Sequence, residues 1–258
     1  MEKNGIETTE TFLDGRALLQ KFEGVHAIVA FFLEDLHTRA TEAIRMRGAF
    51  HFALAGGSTP KAIYRAIAEN ISKGGLLNEI DWTCVHLYWG DERAVPPNHP
   101  ESNFHMALNN GLGELGIPDH QIHRMVAENN IREGARDYET LLKRALSEGK
   151  FDYILLGMGD DGHTASLFPH TEALDEQKHW VVANEVPQLG CWRMTLTFPL
   201  IQQARRVAIC VVGKGKAETL KRVLQGPLDP NILPSQRLGT EGNPAIWVVD
   251  ADAARLLS

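Results

Sequence analysis

The chain has 258 residues, 43% of them hydrophobic, enough to bury a sizeable core in one or two domains. Its formal net charge of −7 gives a field that does not favour nucleic acid or anionic lipid, so an anionic ligand needs a local basic pocket. The 3 cysteines, Cys84, Cys191 and Cys210, lack CxxC spacing; they offer no disulfide framework and no zinc ribbon, and they suit a reducing cytoplasm.

The N-terminal run MEKNGIETTETF is polar and lacks the apolar core of a signal peptide. Charges interrupt every apolar stretch well before about 18 residues, so no membrane span is expected. No repeat, low-complexity tract or Pro/Gly/Ser linker divides the sequence, and residues 1–258 read as one domain. From Val25 to Ile44, Val25, Ile28, Val29, Phe32, Leu36, Ala40, Ala43 and Ile44 recur at helical spacing. A short strand HFALA, a turn GGST and a helix PKAIYRAIAEN follow, with Pro60 in the first turn behind Ser58 or Thr59 as cap.

The pattern then repeats in kind. VHLYW (85–89) is a predicted strand running into the loop GDERAVPPNHPES. Helices are predicted around 102–110 and over 131–148. DYILL (152–156) is a strand leading into GMGDDGHTASLFP, and VVAN (181–184) with RMTLTF (193–198) form a local strand pair. RVAICVV (206–212) precedes GKGKAETLKRVL, a loop and helix, and AIWVV (245–249) is the last strand. Short, continuously apolar strands separated by helices predict an α/β fold: a Rossmann-like, mostly parallel sheet with helices on both faces, plus a small antiparallel pair. Ligands of such sheets bind beyond the carboxyl ends of the strands, where the glycine-rich polar loops here would gather.

Four of those loops carry candidate chemistry. Gly56 and Gly57 permit a tight turn, Ser58 and Thr59 add hydroxyls, and the helix behind them offers free N–H groups, which suits phosphate. An ordinary strand-to-helix turn is equally open at this point, because the P-loop lysine is missing. Gly90-Asp91-Glu92-Arg93 reads alone as a solvated, salt-bridged turn; at the end of a buried strand, Arg93 gains a route to an anion or a developing oxyanion. The segment 157–162 spells G-x-G-x-x-G, yet two aspartates within it would face a pyrophosphate, and no second strand ends in an acid about 20 residues on, so the dinucleotide reading is rejected. His163 in the same loop is of the residue type that most often serves as a general base, with Asp161 placed to orient it. His26, His51 and His86 read as structural. Arg193 and Lys216, each beside a strand, are surface bases or charged donors to phosphate, the latter worth about 1.5–3 kcal/mol each.

LAGGSTP, GDERAVPPNHPESN, LLGMGDDGHTASLFP, RMTLT and GKGKA, in this order, resemble the 6-phosphogluconolactonase family, over about residues 10 to 250. The resemblance implies a sheet shared with glucosamine-6-phosphate deaminase and related to ribose-5-phosphate isomerase. It implies hydrolysis of 6-phospho-D-glucono-1,5-lactone to 6-phosphogluconate, in the cytoplasm, with no metal and no organic cofactor. By motif match His163 is the base, Gly56, Gly57, Ser58, Thr59, Arg193 and Lys216 hold phosphate, and Arg93 lies near the phosphate or the lactone. The expected partner is this small phosphorylated lactone alone, with neither nucleic acid nor membrane. Two rivals are a deaminase-like enzyme and a non-catalytic phosphosugar-binding protein. The deaminase carries a glutamate just before the proline where this chain has Phe168, and a binding protein would have lost His163.

Overall fold

The structure, a computed structural model, describes residues 6–146 and 148–258; residues 1–5 of the polar N-terminal run and residue 147 lie outside them. The chain opens with strands β1 (Ile6–Phe12) and β2 (Ala17–Phe22), helix α1 (Val25–Arg47) and strand β3 (Phe50–Leu54). Helix α2 (Ser58–Ser72), strands β4 (Val85–Trp89) and β5 (Asp91–Arg93), helix α3 (Asn103–Leu108), strand β6 (Ile122–His123) and helix α4 (Ile131–Ala145) follow. The rest comprises β7 (Tyr153–Gly157), β8 (Val181–Val186), β9 (Cys191–Leu196), α5 (Phe198–Ile201), β10 (Val207–Val211), α6 (Ala217–Gln225), β11 (Ala245–Asp250) and α7 (Ala251–Ala254).

The expected α/β architecture is present. One 8-stranded sheet runs β1-β2-β11-β10-β7-β3-β4-β6, and only the β1–β2 pairing at its edge is antiparallel. β10 and β11 are buried along their whole length, which is why their sequences are apolar without alternation, in β11 as far as Val249. α1 covers the sheet with Ile28, Phe31, Phe32, Leu36, Ala40 and Ala43, one stripe at helical spacing. It stops at Gly48, whose φ of 80° is left-handed and whose N–H closes on the Ile44 carbonyl.

Several details differ from the sequence reading. The β1–β2 hairpin was not expected, because β1 is mostly exposed and carries no apolar run to announce it. The short antiparallel pair β8–β9 has a third member: Asp91–Arg93, expected as loop, is strand β5 and pairs with β9. The N-cap of α2 is Gly57, not Ser58 or Thr59; its φ of 109° and ψ of 173° favour glycine, and the two hydroxyl residues fall inside the first turn. α4 ends at Ala145, short of the expected 148, in the basic turn of Lys143 and Arg144.

The order of strands decides where a ligand can sit. From β3 the chain moves outward to β4 and β6, then returns to β7 on the other side of β3 and moves away through β10 to β11. The direction of winding therefore reverses between β3 and β7, and their carboxyl ends splay apart into a crevice.

Near the amino ends of β3 and β4, His51 lies beside His86, and further along β4 Tyr88 lies beside His123 of β6. The imidazoles stack at 5.0 Å (His51–His86) and 5.4 Å (His86–His123), and His86 Nδ1 lies 3.1 Å from His123 Nε2. Burial first, then the neighbouring His86, pulls both His51 and His123 down to about 4. Below pH 6.5 the unfolded chain takes up protons that the folded stack refuses. Stability from this source is complete above that pH and drains away as pH falls towards about 4. The wild-type Tm should therefore fall between pH 7 and pH 5, a range in which most carboxylates stay charged, and it should fall less in His123→Gln. Parallel Tm-versus-pH curves for the two proteins would remove the histidine stack as the cause.

Candidate active site

The crevice holds a cavity of about 560 Å³. Gly56 and Gly57 reach it from the end of β3, and Gly90, Asp91 and Arg93 from the end of β4. Gly157 to Asp161, His163, Ala165, Ser166 and Phe168 follow β7, Lys216 follows β10, and Arg193 comes from β9. Seven expected residues thus share one cavity: Gly56, Gly57, Arg93, Asp161, His163, Arg193 and Lys216. Ser58 and Thr59 are not among its lining; Ser58 is exposed, and both occupy the first turn of α2. As a helix start, that turn has N–H groups with no partner inside the helix.

His163 sits in a loop folded back on itself. Gly159 N–H donates to the His163 carbonyl at 2.8 Å, Gly162 N–H to the Gly159 carbonyl at 3.1 Å, and Thr164 Oγ1 to the Gly157 carbonyl at 2.9 Å. Asp161 Oδ1 accepts from the His163 backbone N–H at 3.1 Å and lies 2.6 Å from Nδ1 of its ring. Burial pushes the Asp161 carboxyl up, but its hydrogen bonds and charge interaction with His163 outweigh that and hold it below the usual carboxylate range. An ionised carboxylate only accepts, so Nδ1 carries the proton of this bond, and in the neutral imidazole Nε2 is then the nitrogen with the lone pair. The glycines that mimic a dinucleotide fingerprint have other work. A Cβ on Gly159 would collide with the His163 ring, and Gly162 turns at φ 80° against Leu233.

Across the small sheet, Arg93 of β5 and Arg193 of β9 are register partners. Like charges in that relation repel. Among the described residues neither pairs with a carboxylate, and the Nε of each is buried without an acceptor. Among the described residues the Arg93 side chain makes one hydrogen bond, from Nη1 to the Glu101 carbonyl at 2.5 Å. Lys216 is already engaged: its Nζ donates to the Met158 carbonyl at 2.9 Å and to Asp160 Oδ1 at 2.6 Å.

The sequence reading missed the scaffold behind these groups. Asp91 is buried, accepting from Ser166 Oγ at 2.7 Å and from Asn103 Nδ2 at 3.2 Å. Glu92, read as half of a solvated turn, is 3% exposed and accepts from the N–H groups of Arg93, Asn103 and Phe104 and from Ser102 Oγ, at 2.8–3.0 Å. It thereby fixes the start of α3. Burial raises its carboxyl above the usual range, and those N–H bonds work against the rise. Asn103 packs so closely on Gly56 that a Cβ there would collide with its amide. The signal for this scaffold was local: Ser102 and Asn103 stand where a helix cap would be read.

Among the described residues, no group of three or more His, Cys, Asp or Glu side chains is placed to hold a metal ion, and no helix is long and apolar enough to cross a membrane. The family profile described as glucosamine-6-phosphate isomerases/6-phosphogluconolactonase matches residues 25–247. The chain is 40% identical to a 6-phosphogluconolactonase of Chlamydia pneumoniae over 221 residues, 85% of this chain and 83% of that one. It is 38% identical to a 6-phosphogluconolactonase of a Nostoc species over 238 residues, 90% and 95% of the two chains. The crystal structure of 6-phosphogluconolactonase from Thermotoga maritima superimposes with a TM-score of 0.76 at 26% identity, covering 91% of this chain and 99% of that one. That profile spans the reversal point, the glycine turn and the GDDGHTASLFP loop, and the chain belongs to the glucosamine-6-phosphate isomerase/6-phosphogluconolactonase family.

Proposed function

We propose that the chain hydrolyses 6-phospho-D-glucono-1,5-lactone to 6-phosphogluconate, in the cytoplasm, as a step of the oxidative pentose phosphate pathway. The chain is an enzyme, a carboxylic ester hydrolase of the 6-phosphogluconolactonase type. The observation that carries the assignment of roles is the Asp161–His163 pair, 2.6 Å apart, sharing a cavity with two arginines that have no carboxylate partner among the described residues. Nε2 of His163 takes a proton from water as the water oxygen attacks the lactone carbonyl carbon. The carbonyl oxygen becomes an oxyanion, which Arg93 or backbone N–H groups stabilise. As the tetrahedral intermediate collapses, the bond to the ring oxygen breaks and His163 returns the proton to that oxygen. Asp161 keeps the imidazole in the Nδ1–H form and balances its transient charge. Arg193, Lys216, Gly56, Gly57 and the first turn of α2, including the backbone of Ser58 and Thr59, receive the phosphate. Phe168 supports this reading over a deaminase-like relay, because an aromatic ring stands where that relay has a carboxylate.

Three measurements test the assignment. His163→Ala should fold normally and lose about 10²–10⁴ in catalysed rate. Turnover near the wild-type level, above spontaneous hydrolysis, would end the role of His163 as base. Exhaustive chelation should leave activity intact, on the reasoning that the donor set for a metal is missing from the sequence pattern. Loss of activity restored by one particular ion would overturn that. Arg193→Ala should reduce kcat/KM for the phosphorylated lactone about tenfold or more, the scale of a charge-assisted hydrogen bond, while hardly changing any slow turnover of unphosphorylated gluconolactone. Equal proportional losses on both lactones would place Arg193 at the ring or in the fold instead.

A further inference from the structure

The His163 imidazole makes a contact that the proposed chemistry does not use. Its ring lies face to face with the Phe168 ring, centroids 3.9 Å apart and planes inclined by 24°. Gly159 closes in on Nδ1 and Cε1, leaving no room for a Cβ. Asp161 alone is a weak guide for the imidazole. It is two residues away on the same loop and 42% exposed, and its hydrogen bonds among the described residues both go to His163. A side chain with that freedom can swing with its partner.

Phe168 is of a different kind. It is 6% exposed, and its backbone is tied down. Thr171 Oγ1 donates to the Phe168 carbonyl at 2.8 Å. Asn184 of β8, itself 2% exposed, donates through Nδ2 to Thr171 Oγ1 at 3.0 Å and to the Ser166 carbonyl at 2.9 Å. One amide from the small sheet thus staples the loop on both sides of Phe168.

We propose that Phe168 is a positioning residue: its ring, anchored to the small sheet through Thr171 and Asn184, holds the His163 imidazole so that Nδ1 meets Asp161 and Nε2 faces the cavity. The inference rests on the reading of His163 as base. Without the aromatic face the imidazole turns about its Cβ bonds, the tautomer is no longer dictated by Asp161, and the attacking water loses its acceptor. Misplacement of about 1 Å is enough to cost on the order of 10²-fold in rate.

The experiment uses the full chain with Phe168→Leu, which keeps an apolar group of similar reach in the pocket, and Phe168→Tyr, which restores the aromatic face. The expected result for Phe168→Leu is a fall in kcat of about tenfold or more with little change in KM, and for Phe168→Tyr a return to within about threefold of wild type. The ring nitrogens of 15N-labelled histidine, with His163 identified by its absence in His163→Ala, should report a single Nδ1–H form in wild type and a mixture of tautomers in Phe168→Leu. Wild-type kcat in Phe168→Leu, or a lowered kcat with the His163 ring signals unchanged, overturns the proposal. So does a Phe168→Tyr protein no better than Phe168→Leu. Full turnover by His163→Ala is a separate failure: it removes the base assignment, while the nitrogen signals still decide whether Phe168 orders the ring.

Discussion

A parallel sheet buried on both faces can place polar chemistry only at the ends of its strands. The middles of β7, β10 and β11 admit no polar side chain. A charged group there would face a desolvation cost with nothing to offset it. The cavity-lining groups on the main sheet's loops, from Gly56 to Lys216, therefore follow the last residue of a strand, and the reversal between β3 and β7 determines which strand ends meet. The small sheet completes the wall. It contributes the two cavity arginines and braces the β7 loop through Asn184, so one short antiparallel element both charges the pocket and stiffens it.

The charges in the cavity are arranged unevenly. Lys216 is compensated by Asp160, an 85% exposed carboxylate that an incoming anion can displace at little cost. Arg93 and Arg193 face each other without such compensation among the described residues. A protein of net charge −7 thus keeps a small region of opposite sign, and burial of each Nε strengthens its pull on an anion. The acids nearest to them are used for building. Asp91 and Glu92 are occupied by Ser166, Asn103, Ser102 and backbone N–H groups, which spares the arginines from being quenched.

The sequence made the central strands legible because burial on both faces leaves an unbroken apolar run. It made His163 and Asp161 legible because a glycine-rich polar loop after such a run has no reason to exist in a core. What it hid was set by partners distant in the chain. β5 is three polar residues whose strand character comes only from pairing with β9. β1 shows no burial pattern, since it adds to an edge and faces solvent. The cap of α2 was misplaced by one position, because Gly57 supplies by backbone conformation what Ser58 was expected to supply by side chain. Phe168 was visible as a residue, but its stacking on His163 depends on a loop tied to β8, which no local spacing encodes.

The place of β11 between β10 and β2 has a consequence for biosynthesis. Residues 17–22 pair with residues 245–250, so the β1–β2 hairpin waits for the synthesis of all the residues in between before it meets the strand it docks against. During that wait β10, already apolar throughout, presents an unpaired flank. Such an edge is a template for intermolecular pairing, and closure over so long a stretch of chain is slow. A nascent chain that has just released Lys216 from the ribosome therefore carries every residue that contributes to the cavity while still lacking the strand that seals its sheet. Its greatest exposure to aggregation comes at that point, and chaperones would be expected to matter most there.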